Sequence, residues 1–198
     1  LNIDLAGGDT TASVTGLTVN VTAIGRARRS DIVYRNGARP NDLICITGNL
    51  GAAYMGLQLL EREKRVLHDV ENPEPQFAGH EYLLEKYLKP RARRDVIAAL
   101  AEEKLRPTAM IDLSDGLASD IRHIMERSGV GAAIDTERIP AAADADIRTA
   151  ACAGEDYVLL LTAECADAER LAAHSQPRVL RAAKHLAVAE VDLSLIHI

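Results

Sequence analysis

Apolar positions along the chain follow two rhythms, and each predicts a different kind of element. Leu17, Val19, Val21 and Ala23 alternate with polar residues, so residues 15–25 predict a half-buried strand. Residues 43–47 are a short, almost wholly apolar run and predict a buried strand that opens a second domain. Further strands are expected near residues 132–135, 157–162 and 186–191, with an apolar approach over residues 108–111. Helical spacing predicts a helix that follows Gly48-Asn49-Leu50-Gly51 and runs through Leu57, Leu59 and Leu60 to Lys64. Two amphipathic helices near residues 80–88 and 91–104 are separated by Pro90, which cannot continue a helix. Another spans residues 117–127 and stops at Ser128-Gly129, and a last one lies around residues 165–173.

The connections differ in character. Residues 26–39 are charged and irregular and suit a linker, with a turn signature at Arg35-Asn36-Gly37. Residues 68–79, containing Pro73 and Pro75, read as a connection, and the Ala/Asp-rich residues 141–146 read as a surface loop. Gly48-Asn49-Leu50-Gly51 could cradle a phosphate, but a strand-to-helix turn needs its glycines in any case, and the structural role is preferred. Arg91, Arg93 and Arg94 read as a solvated helix start, with a phosphate-binding role as the lesser alternative. The pattern as a whole fits an α+β or a mixed α/β fold.

Chemistry concentrates where a strand is expected to run into a helix. Met110-Ile111-Asp112-Leu113-Ser114-Asp115-Gly116-Leu117 places two carboxylates and a hydroxyl at that turn. A helix N-terminus carries partial positive charge and free amides, which attract anions. Asp112 and Asp115 add oxygen ligands of the kind Mg²⁺ prefers, so the turn could seat a polyphosphate. Alternatively, Ser114 or Asp115 simply caps the helix. Two further acidic turns bear on the choice. Gly7-Gly8-Asp9-Thr10-Thr11 follows the mostly apolar residues 1–6, and Gly154-Glu155-Asp156-Tyr157 precedes the apolar residues 158–161. Each could be an ordinary polar turn.

Taken in order, these segments resemble the thiamine-monophosphate kinase family, within the superfamily that includes aminoimidazole ribonucleotide synthetase. The resemblance also takes in Val21-Thr22-Ala23-Ile24-Gly25, the stretch from Arg35 to Asp42, Ile46-Thr47-Gly48-Asn49-Leu50-Gly51, and Ser128-Gly129-Val130-Gly131. It implies a two-domain aminoimidazole ribonucleotide synthetase-like α+β fold with its N-terminal domain only partly present. Residues 1–40 would be the end of an ATP-binding and dimerisation domain with a linker, residues 41–192 the C-terminal domain, and residues 193–198 a tail foreign to the family. The implied reaction moves the ATP γ-phosphoryl group to thiamine monophosphate, with several Mg²⁺ ions as cofactors and a homodimer as the full-length form. By resemblance, Asp9, Asp112 and Asp115 hold the metal, while Gly8, Asp9, Arg35 and Ser114 contact ATP. Glu155 would contact the thiamine moiety; the family's usual Gly-Gly-Glu-Asp stands here as Ala153-Gly154-Glu155-Asp156. Another ATP-dependent enzyme of the superfamily, or a non-catalytic nucleotide- or metal-binding module, remains an alternative.

Composition narrows the setting. Hydrophobic residues make up 47% of the 198-residue chain, enough for a packed core. A net charge of -6 argues against nucleic-acid binding through a basic surface. No apolar run approaches the length of a membrane span. Cys45, Cys152 and Cys165 have no Cys-x-x-Cys spacing and predict buried thiols in a reducing compartment, hence the cytoplasm. The six histidines show no metal-ligand spacing, and His123 reads as an ordinary helix residue.

Overall fold

The computed structural model describes residues 3–71, 74–174 and 181–183. It divides into two compact units, Leu1–Ile32 and Val33–Ile198. The first unit has no strand among its described residues, only a 3-10 turn at Arg29–Asp31. The strand expected over residues 15–25 is therefore not formed. Leu17, Val19 and Val21 alternate as a strand would, yet all are exposed, as are Val14 and Ile24. Alternation alone does not make a strand: its amides and carbonyls need a neighbouring chain, and no described residue pairs with them.

The second unit is built around a sheet. Its elements in chain order are β1 (Leu43–Ile46), α1 (Ala52–Val66), α2 (Glu81–Leu88), α3 (Arg94–Glu102), β2 (Ala109–Leu113), α4 (Leu117–Ser128), α5 (Ile147–Cys152), β3 (Val158–Ala163), α6 (Cys165–His174) and β4 (Arg181–Ala183). The strands lie in the order β2-β3-β1-β4, and every neighbouring pair is antiparallel. Helices joined to an antiparallel sheet make the fold α+β. The sequence reading placed β1, β3, the approach to β2 and five of the helices to within a few residues. It missed α5 and β4. Residues 132–135 form no strand, and the strand expected at residues 186–191 lies outside the described residues, as does the tail 193–198.

The two-residue period of the strands divides the core. Ile44, Ile46, Ala109, Leu113, Val158 and Leu160 face one way and pack with Leu117, Ile121, Ile124 and Met125 of α4. Cys45, Leu161 and Ala163 face the other way, against Val96 and Leu100 of α3 and Ala168 and Leu171 of α6. Burying an aliphatic side chain of this size contributes roughly 1.5–3 kcal/mol. Both faces of the sheet are thus covered, which explains why β1 and β3 read as continuous apolar runs instead of alternating ones.

Two expectations fail for want of tertiary information. Ala142, within the supposed surface loop, is buried against Ala52 and Leu83, and its amide donates to the Leu50 carbonyl at 2.9 Å. The thiols are also not uniformly buried: Cys45 is, but Cys152 and Cys165 are exposed. Burial, aided by the nearby Asp42 carboxylate, pushes the Cys45 thiol up to about 12. A thiolate-directed reagent at neutral pH should therefore label Cys152 and Cys165 in the native protein and leave Cys45 untouched until denaturant is added. Mass spectrometry of the labelled peptides reads this directly, and native labelling of Cys45 would contradict the placement of β1 in the sheet centre.

Gly56 fixes how closely α1 and α2 approach. A Cβ there would sit 2.3 Å from the Leu83 carbonyl oxygen and 2.9 Å from its carbon, both backbone atoms that cannot rotate away. Gly56→Ala should destabilise the protein by about 1–3 kcal/mol through overpacking, outweighing the helix propensity that Ala adds. Thermal denaturation of the variant tests this, and an unchanged midpoint would mean the helices pack less tightly.

Candidate active site

The site grows out of two chain segments zipped together at the end of β2 and the start of β3. The Glu155 amide donates to the Ser114 carbonyl at 2.8 Å, and the Tyr157 amide donates to the Leu113 carbonyl at 2.9 Å. This pairing requires Gly154, whose added Cβ would lie 2.1 Å from the Ser114 oxygen. It likewise requires Gly116, with φ of +100° and the Cys152 carbonyl oxygen 2.8 Å from where a Cβ would stand. Those two glycines let the backbones touch, and the pairing joins the turn carrying Glu155 to the segment carrying Asp112 and Asp115.

Within Glu155-Asp156-Tyr157 the side chains separate by role. Glu155 and Tyr157 are exposed and have φ of +69° and +47°, in the left-handed region that non-glycine residues rarely adopt. Such residues cost on the order of 1–3 kcal/mol each, and they concentrate at functional sites. The twist turns Asp156 inward. It is buried and accepts from the Gly51 amide at 2.6 Å and the Ala53 amide at 3.0 Å, satisfying the N-terminus of α1. Burial raises the Asp156 carboxyl above the usual range, and these amide donors and the Lys86 ammonium oppose the rise. The same turn bears out the structural role preferred for the glycines at 48 and 51. A Cβ on Gly48 would meet Val158 Cγ1 at 2.7 Å, and Gly51 has φ of +83°.

At the other segment the helix cap is not what the sequence suggested. Neither Ser114 nor Asp115 caps α4; its N-cap is Gly116. Instead, the buried Asp120 reaches back from the first turn, and its Oδ2 accepts from the Ser114 and Asp115 amides, both at 3.0 Å. Those two amides are consequently engaged and do not offer themselves to an anion. Asp112, Asp115 and Ser114 keep their side chains at the surface, the first two exposed and Ser114 partly so. Asp120 is the residue that sequence reasoning missed, and its signal was a carboxylate five residues past Asp115, in the first helical turn.

The electrostatics show one shared acidic field. The Asp120 carboxyl is raised first by burial and further by the Asp115 and Asp112 carboxylates, against the two amides that stabilise its charge. The Tyr157 phenol is raised by its hydrogen bond to Glu155, by the charge of Glu155, and by Asp112 and Asp115. Ligand atoms of Asp115, Asp120 and His123 lie within 4.8 Å of one another. In that group the exposed Asp115 and the buried Asp120 offer carboxylate oxygens that fit a hard divalent cation such as Mg²⁺, whereas an imidazole nitrogen does not suit Mg²⁺. The carboxylates are the part of the cluster that fits the expected ion.

Arg35 and Asp112 line one cavity of about 510 Å³, with Tyr34, Met110 and Arg127. Residues 34–38 are not a loose linker: the Met110 amide donates to the Tyr34 carbonyl at 3.1 Å, and Ser128 Oγ accepts from the Ala38 amide at 3.1 Å. Gly37 passes so close to the Thr108 carbonyl oxygen that a Cβ would stand 2.1 Å from it. Arg127, on the last turn of α4, brings a second guanidinium to this cavity that the sequence reading did not single out. Gly8 and Asp9 belong to the first unit. Both are exposed, and Asp9 Oδ1 accepts from the Thr10 amide at 2.8 Å.

Comparison with known proteins places this chain in a family. The chain is 34% identical over 172 residues to the thiamine-monophosphate kinase of Salmonella typhimurium, covering 81% of this chain and 48% of that protein. It is 36% identical over 159 residues to the thiamine-monophosphate kinase of Methanospirillum hungatei, covering 78% and 48%. The solved structure of AaThiL complexed with AMPPCP and TMP superposes with a TM-score of 0.60 at 29% identity, covering 80% of this chain and 48% of that one. The chain thus spans about half the length of these curated relatives. Residues 39–191 match the model of the AIR synthase related protein, C-terminal domain. With that match covering most of its length, the chain belongs to the AIR synthase related protein family.

Proposed function

We propose that the protein acts as a Mg²⁺-dependent thiamine-monophosphate kinase, transferring the γ-phosphoryl group of ATP to thiamine monophosphate to give thiamine diphosphate and ADP. The observation that supports this reading is the backbone pairing of Glu155 with Ser114, which joins the turn carrying Glu155 to the segment carrying Asp112 and Asp115. Residues 1–40 would contribute to the ATP-binding domain and residues 41–192 form the C-terminal domain of a homodimer working in the cytoplasm. Among the described residues no helix is long and apolar enough to cross a membrane.

The chemistry asks for positioning more than for a base. The acceptor is a phosphate whose second pKa is about 6, so it is largely deprotonated at neutral pH and already nucleophilic. What opposes the reaction is repulsion between two anions. Asp112 and Asp115, with Asp9, would hold Mg²⁺, which when bound neutralises phosphate charge. Arg35 would orient ATP phosphate oxygens through paired N–H donors, a geometry that suits guanidinium. Gly8 would let the backbone approach the nucleotide, and Ser114 would supply a hydroxyl to it. Glu155 would engage the aminopyrimidine donors or the cationic thiazolium of thiamine, and the phenol of Tyr157 holds that carboxylate in place. Asp120 positions the Ser114–Asp115 turn without touching substrate.

A direct test measures ADP formation from Mg²⁺–ATP with thiamine monophosphate, in a protein spanning the full length of the relatives. Thiamine monophosphate should stimulate turnover, and aminoimidazole ribonucleotide precursors or selenide should not. Stimulation by one of those instead would move the protein to another branch of the superfamily. Nucleotide binding without any turnover would favour a non-catalytic module.

A further inference from the structure

The junction of α2 and α3 carries charge that the proposed phosphoryl transfer does not use. A cavity of about 430 Å³ opens there, lined by Tyr82, Glu85, Lys86, Lys89, Arg91 and Arg93 among others. The sequence reading took the arginines for a solvated helix start, but the Arg93 side chain is only 13% exposed. Its guanidinium lies against the Gly48 turn, 3.6 Å from where a Cβ would stand. Arg93 also forms a two-pronged pair with Asp95, at 2.9 Å through Nε and 2.7 Å through Nη2. Arg91 pairs with Glu85. Both carboxylates in the cavity wall are therefore matched to arginines.

Two cations are left over. Among the described residues, neither Lys86 nor Lys89 has an ion-pair partner. The cavity wall consequently holds a surplus of two positive charges in a chain whose net charge is -6. Lys86 is partly buried, with its ammonium 5.9 Å from the centre of the Tyr82 ring. Burial lowers its pKa and Arg93 adds to this, while the charges of Asp156, Glu85 and Asp95 act against them. A concave, partly desolvated site with surplus positive charge on fixed stems and an aromatic wall suits an anion with an apolar body.

The geometry points to the α2–α3 cavity as a binding site for a small phosphate-bearing anion, seated by Lys86 and Lys89 with the Tyr82 ring against its organic part. This site is separate from the acidic cluster: it shares no residue with it and needs no metal, because its charge is already complementary to phosphate. Asp156, whose charge acts on Lys86, connects the cavity to the back of the turn that carries Glu155.

Isothermal titration of the chain in EDTA, with inorganic phosphate in one arm and phenyl phosphate in the other, tests the site. Chelation removes any binding that depends on Mg²⁺ at the acidic cluster, so failure here and failure of the kinase reading remain distinguishable. Saturable binding is expected in both arms, several-fold tighter for phenyl phosphate. Lys86→Gln with Lys89→Gln should weaken both by at least about tenfold, whereas Asp112→Asn should leave both unchanged. Tyr82→Ala should abolish only the advantage of phenyl phosphate. Equal affinity in the two arms would assign the site to free phosphate instead of a phosphorylated organic ligand. Should the double variant unfold, Lys89→Gln alone, at an exposed position, serves the same purpose. No saturable binding in either arm, or binding indifferent to both lysines, would overturn the proposal.

Discussion

Asp112→Asn is expected to lower Mg²⁺-dependent ADP formation by about 100-fold or more while leaving stability nearly unchanged. Removing one electrostatic element of a preorganised site typically costs two to three orders of magnitude in rate. Asp112 sits at the open end of β2 with its side chain exposed, so the amide substitution removes charge without disturbing packing. Exposed substitutions away from structural features usually change stability by less than about 0.5 kcal/mol. The loss should also be partly recovered by raising the Mg²⁺ concentration, because a weakened ligand set binds the ion less tightly. Steady-state kinetics at several Mg²⁺ concentrations, beside a thermal denaturation curve, separate these effects. Parent-like turnover in the variant would remove Asp112 from the site and with it the main support for the kinase reading.

Asp156 should show the reverse behaviour, a structural loss from a residue next to the site. Asp156→Ala leaves the Gly51 and Ala53 amides without their acceptor at the buried start of α1. Each orphaned buried donor costs about 1–3 kcal/mol, so a total near 2–4 kcal/mol is expected. For a protein of this size that lowers the thermal midpoint by roughly 5–15 °C. Asp156→Asn keeps an acceptor oxygen and should lose less. The pH dependence has a definite sign. The folded-state pKa of Asp156 is raised, so its contribution is fully present below the unfolded value of about 4 and declines as pH rises through the folded value. An asparagine does not titrate. The stability gap between parent and Asn variant should therefore be widest in acid and narrow as pH increases. Denaturant melts across that range decide it, and a widening gap would mean that the charged form is the better-held one.

The turn that carries Asp156 shows where reading the chain alone succeeds and where it stops. Glu155, Asp156 and Tyr157 were visible as one acidic turn before a strand, but nothing local says which of them faces inward. The answer lies more than a hundred residues away in sequence, in the unsatisfied amides of α1, which only a buried carboxylate could reach. Asp120 is a similar case. Its place on α4 followed from the helical period, yet its use as the anchor of the Ser114–Asp115 turn depends on burial. Arg93 looked like one more exposed charge until α2 and the Gly48 turn closed around it. Residues 15–25 failed in the opposite sense, for they carry a strand's pattern without a pairing partner among the described residues.

What the sequence determined by itself was whatever depends on near neighbours: the helices and central strands, the glycines at sharp turns, and the three acidic turns in order. Periodicity and turn chemistry act over a few residues and survive without knowledge of the fold. Tertiary structure decided which carboxylates stay exposed and which are buried to hold backbone amides, and which thiols are open to solvent. It also decided that Arg35 meets Asp112 across one cavity. Those outcomes depend on burial and on hydrogen bonds between distant segments, and burial exists only once the sheet and its helices have closed on one another.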